Sequence, residues 1–149
     1  MVTLVLIGIL FGSREVILMN IVLIAHDSKK ELMTELCIAY KRILSENKLY
    51  ATGITAKFLR ENAGLELYAF LPGDQGGVEQ VGMHITYNDI DMVIFLRNAA
   101  NNAAHDPNVS YILHLCDENN IPVATNIATA ELLIHGLERG NLAWRELVK

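Results

Sequence analysis

Residues 20–43 read NIVLIAHDSKKELMTELCIAYKRI, and two different periods meet in them. Residues 21–25 are wholly apolar and rich in β-branched side chains, the composition of a strand covered on both faces. Behind them Leu32, Leu36, Ala39, Tyr40 and Ile43 recur at helical spacing, which predicts an amphipathic helix. Ser28 with Glu31 reads as a capping box at its start. A buried strand that runs straight into a helix is the repeating unit of an α/β sheet.

The alternation continues down the chain. Short apolar segments at 49–51, 65–70, 92–96 and 123–125 predict the other strands, and helical patterns cover 55–62, 78–87, 106–118 and 129–137. Asp106 and Pro107 supply an N-cap and a first helical position. The expected architecture is α/β, a single doubly wound domain with a mainly parallel five-stranded sheet flanked by helices.

Composition narrows the function classes. A chain of 149 residues, 52% hydrophobic and 19% charged, suffices for one core and argues against disorder. Twelve Lys plus Arg against 17 Asp plus Glu leave a net charge of −5, and the absence of any basic run argues against a nucleic-acid partner. Cys37 and Cys116 lack CxxC spacing and fall on helical patterns, as expected of buried free thiols in a reducing cytoplasm. His84, His114 and His135 lie within helical patterns without metal-ligand spacing, so no metal site is expected. The apolar run at 2–11 has no preceding Lys or Arg and falls far short of the roughly 20 residues that span a bilayer. We read residues 1–18 as an N-terminal extension and 19–149 as the domain, with no membrane partner.

Parallel sheets of this kind bind ligands at the carboxyl ends of their strands, where helix N-termini converge. The polar residues collect there: His26 and Asp27 after the first strand, Thr52, Gly53 and Thr55 after the second, and residues 98–105 after the fourth. Between them lies the loop LPGDQGGVEQVG at 71–82. Its glycines turn the chain whatever the function, but Lys29 or Lys30 beside several helix starts would suit a small phosphorylated metabolite.

Five ordered motifs then resemble one family. AHD at 25–27 with Lys30, YATG at 50–53, GGVEQVG at 76–82, HDP at 105–107 and IPVATNIATAELLI at 121–134 are similar to methylglyoxal synthase, over essentially residues 19–149. The resemblance implies a cytoplasmic homohexamer without cofactor that turns dihydroxyacetone phosphate into methylglyoxal and phosphate. A carboxylate would remove a proton beside the carbonyl, a neutral histidine would stabilise the enediolate, and phosphate would leave. Carried onto this chain, the first aspartate is Asp27 and the histidine His105, with His26, Lys30, Thr52, Thr55 and Gly73 around the substrate.

The family's base does not carry over. Its aspartate is Val78 here, followed by Glu79, while a phosphate-contacting serine is Pro72, a cradle threonine Ile54, and two further acidic positions are Asn98 and Asn108. Loss of a positioned base typically costs ~10²–10⁴ in rate. Glu79 would have to act from a position rotated by ~100° about the helix axis. The expectation therefore has two arms. One is a synthase using Asp27 or Glu79 as proton acceptor, and the other is a catalytically silent paralogue that binds phosphate or a small phosphorylated metabolite as a regulatory module.

Overall fold

The computed structural model describes residues 17–100 and 107–149. Five strands, β1 (Asn20–Ala25), β2 (Lys48–Ala51), β3 (Tyr68–Ala69), β4 (Met92–Leu96) and β5 (Val123–Ala124), form one sheet in the order β3-β2-β1-β4-β5. Every pairing is parallel. The helices are α1 (Lys30–Ala39), α2 (Lys41–Ser45), α3 (Gly53–Ala63), α4 (Gly77–Thr86), α5 (Pro107–Glu118) and α6 (Ile127–Glu138).

The alternation of side chains along β1 builds two cores. Ile21, Leu23 and Ala25 pack with residues of α1, α2, α3 and α6, whereas Val22 and Ile24 pack with Val78, Val81 and Ile85 of α4 and Val109, Ile112 and Cys116 of α5. The doubly wound α/β sandwich is thus present, with the sheet buried between two helical layers. From β1 the chain works outward through β2 to β3, then returns to β4 on the other side of β1. The carboxyl ends of β1 and β4 therefore flank the switch point, where a crevice opens between diverging connections.

Several boundaries differ from those expected. The predicted strand at 65–70 is only Tyr68–Ala69, paired to Tyr50 and Ala51, because the edge strand can pair only where the short β2 runs beside it. The Ser28–Glu31 capping box does not form. The chain enters through a 3₁₀ turn, Asp27–Lys29, capped by His26, so α1 begins only at Lys30. The expected continuous helix to Ile43 is broken at Tyr40, whose φ of −111° and ψ of 25° leave the helical region. There its ring stands edge-on to His135, with centroids 5.5 Å apart. Asp106, expected as an N-cap, lies outside the described residues.

Two glycines are required by the turn before α4. Gly76 has φ +104°, and a Cβ on Gly77 would collide with the Leu71 carbonyl. Both thiols are buried and free. Burial pushes Cys37 up to about 12, and burial with the negative charge of Asp117 does the same to Cys116. At pH 8 a disulfide-exchange reagent should therefore leave both native thiols unreacted and titrate them only after denaturant is added. Rapid release of the chromophore from folded protein would contradict this packing. Among the described residues no helix is long and apolar enough to cross a membrane.

Candidate active site

The connection from β1 into α1 builds one wall of the crevice. The Ser28 amide donates to His26 Nδ1 at 3.1 Å, so in that arrangement the ring proton resides on Nε2. The Ser28 hydroxyl lies 2.9 Å from the same nitrogen. Folding the turn back in this way places Lys30 under it. Its Nζ donates to the Ala25 carbonyl at 2.7 Å and meets Asp27 Oδ1 at 3.2 Å. The lysine is buried while its partner carboxylate is 87% exposed. The ammonium is held at the end of β1 with part of its charge directed at the crevice.

The second wall comes from the start of α3. Thr52 is the N-cap residue, yet its hydroxyl makes no capping bond. Thr55, one turn in, accepts a hydrogen bond from the Ala25 amide at 3.4 Å and so ties α3 to β1. The loop after β3 closes the third side. The Gly53 amide donates to the Leu71 carbonyl at 3.1 Å, Leu71 N–H donates to Gln80 Oε1 at 2.8 Å, and the Gln75 and Gly77 amides both donate to the Pro72 carbonyl. These bonds draw the loop across the start of α3.

Together they enclose a cavity of about 290 Å³. His26, Asp27, Lys30, Thr52, Thr55 and Gly73 all line it. Glu79 does not; it lies exposed on the first turn of α4, and Val78 presents its side chain to the cavity and the second core instead. His105 falls outside the described residues. Asp74, Arg97, Asn98 and Asn108 also face the cavity. Two of these escaped the residue-by-residue reading. Arg97 directly follows the apolar run of β4, so the strand-end rule could have found it, and Asp74 is the neighbour of Gly73 in the glycine loop.

The other histidines have local partners. His84 sits 3.4 Å from Asp89 and beside Phe70, His114 is 3.1 Å from Glu118, and the hydroxyl of Tyr40 lies 3.3 Å from His135 Nε2. Among the described residues there is no cluster of His, Cys, Asp and Glu fit to hold a metal ion.

The cavity thus lies at the switch point of a parallel sheet, with a lysine, two threonines and a glycine loop around it. The MGS-like domain family matches residues 33–125. This chain belongs to the methylglyoxal synthase family. It is 60% identical over 130 residues to the methylglyoxal synthase of Caldicellulosiruptor saccharolyticus, spanning 87% of this chain and 92% of that protein. The methylglyoxal synthase of Thermoanaerobacter pseudethanolicus is 51% identical over 129 residues, spanning 87% and 98%. The crystal structure of the methylglyoxal synthase from Elizabethkingia anophelis superposes with a TM-score of 0.71 at 32% identity, covering 78% of this chain and 77% of that one. Val78, Asn98 and Asn108 are uncharged side chains that line the cavity together with Lys30.

Proposed function

We propose that the protein is a lyase that converts dihydroxyacetone phosphate into methylglyoxal and inorganic phosphate, acting in the cytoplasm as a homo-oligomer. The observation that carries this reading is the convergence of Lys30, Thr52, Thr55 and Gly73 on one cavity at the switch point. Lys30 supplies a charge-assisted hydrogen bond to the phosphate, the threonine hydroxyls supply neutral ones, and His26 and Asp27 complete the wall beside it. Holding the phosphate there leaves the three-carbon portion pointing towards the β3 loop and the end of β4. His105 is assigned to the developing enediolate oxygen by resemblance, and residues 19–149 form the working unit.

The second reading is a silent member of the family that binds phosphate or a small phosphorylated metabolite. It is favoured by Val78, which cannot accept a proton, together with the position of Glu79 away from the cavity lining. One experiment separates the two. The full chain is given dihydroxyacetone phosphate while methylglyoxal and phosphate are followed, and its melting temperature is measured with and without phosphate. Turnover well above a boiled control supports the lyase. Phosphate-dependent stabilisation without turnover leaves the binding module, and neither response would defeat both.

A further inference from the structure

We propose that Asp74 is the proton acceptor of this site, an inference that rests on the lyase reading above. Asp27 and Asp74 are the carboxylates lining the cavity among the described residues. They are not equivalent. Asp27 is engaged with Lys30 at 3.2 Å, so a proton placed on it would weaken the cation that holds the phosphate. Asp74 makes no hydrogen bond or ion pair among the described residues, which leaves its lone pairs available to a substrate proton.

Its position is set rather than incidental. Asp74 lies in the 3₁₀ turn Gly73–Gln75, which is anchored on the near side by the bond between Gly53 N–H and the Leu71 carbonyl and on the far side by the Gln75 and Gly77 amides on Pro72. The Leu71 carbonyl packs so closely on Gly77 that no side chain fits there, and Val78 is locked into the second core. A turn pinned at both ends delivers one carboxylate to the cavity rim, as proton abstraction demands.

Electrostatics orients the substrate in the same sense. A phosphate near Asp74 would suffer like-charge repulsion, while near Lys30 it gains attraction, so the phosphate lies at the β1 end and the hydroxymethyl carbon is turned towards the β3 loop. Asp74 then takes a proton from that carbon. The C–H electron pair becomes the carbon–carbon double bond of the enediolate, and the carbonyl π pair moves to oxygen. In the next step the carbon–carbon π pair shifts to join the central carbon to the phosphate-bearing carbon, the C–O bond there breaks, and phosphate departs with that bonding pair. The hydroxyl proton of the enediol is lost as its oxygen becomes the aldehyde, and a proton returned to the terminal methylene completes methylglyoxal.

The test uses the full chain with Asp74→Ala, Asp74→Asn, Asp27→Asn and Glu79→Gln. If Asp74 is the acceptor, both of its variants lose ~10²–10⁴ in kcat with KM changed no more than a few-fold. Added formate then restores part of the Asp74→Ala rate, a rescue that a merely structural aspartate would not show, and phosphate still raises the melting temperature of both variants. If Asp74→Ala keeps kcat within threefold of the parent, or if the parent is active and the loss falls on Glu79→Gln or Asp27→Asn instead, the assignment is overturned while the lyase reading stands. An unmodified chain that is stabilised by phosphate but makes no methylglyoxal would remove both together.

Discussion

Asp91→Ala is expected to destabilise the fold by about 3–5 kcal/mol, the cost of leaving one member of a buried ion pair without its partner. Asp91 and Arg145 are both fully buried, with Arg145 Nε 3.0 Å from Asp91 Oδ1. The guanidinium also donates to the carbonyls of Asn120 and Ile90 and to Asn88 Oδ1, while Asp91 Oδ2 accepts from the Asn20 amide and from Lys149. The network joins the start of β1, the turn before β4, the loop before β5 and the final 3₁₀ segment Ala143–Leu147. Removing the carboxylate strands the cation and opens one strand-end amide. At roughly 2–4 °C per kcal/mol for a domain of this size, the melting temperature should fall by about 6–20 °C. Calorimetry checks this, and the double variant Asp91→Ala/Arg145→Met should cost less than the sum of the single changes. A shift under 2 °C for Asp91→Ala would show that the network is idle.

The same cluster sets a pH dependence. Burial works against the charge on Lys149, but its hydrogen bonds to Asp91 and Glu146 outweigh that, and its pKa is raised from the ordinary 10.5. A cation with a raised folded-state value contributes stability that is fully present below 10.5 and is lost as pH climbs through the folded value. Lys149→Met should remove that alkaline component, which melting curves recorded from neutral to alkaline pH would check.

Lys30→Met has the second large effect, and it falls on the ligand rather than on the fold. Methionine keeps the apolar stem that packs under the turn, so the folded state loses the bond to the Ala25 carbonyl, about 1 kcal/mol, and an ion pair to an exposed Asp27 that contributes about 0–1 kcal/mol. A hydrogen bond from an ammonium to phosphate is stronger, about 1.5–3 kcal/mol. The expected outcome is a ~10–150-fold drop in kcat/KM, with the phosphate-dependent rise in melting temperature largely abolished. Unchanged phosphate stabilisation in Lys30→Met would place the anion elsewhere, near Arg97 or outside the cavity.

Much of this was legible before any coordinates. The apolar runs of β1 and β4 and the helical periods of α1, α4 and α6 are local signals, because burial on both faces of a strand or on one face of a helix must be written into consecutive residues. The strand-end rule likewise gathered His26, Asp27, Thr52 and Thr55, since in a parallel sheet every such end faces the same edge, while Lys30 and Gly73 were singled out by the family resemblance. Less was legible where the partner lies far along the chain. The short β3 depends on the reach of β2, and the cap of the first turn passed from Ser28 to His26 because the chain enters α1 through a 3₁₀ turn.

What the amino-acid order determined alone is the layered α/β scaffold and the edge at which a phosphorylated ligand would be held, because periodicity and strand-to-helix succession are properties of neighbours. What only tertiary structure decided is which charges face one another. Asp91 and Arg145, 54 positions apart, look like ordinary solvated residues until folding buries both, and Asp74 is an unremarked loop acid until the turn swings it, rather than Glu79, to the cavity rim. Coulomb interactions and desolvation depend on distance and depth in space, and neither quantity exists until the chain has closed on itself.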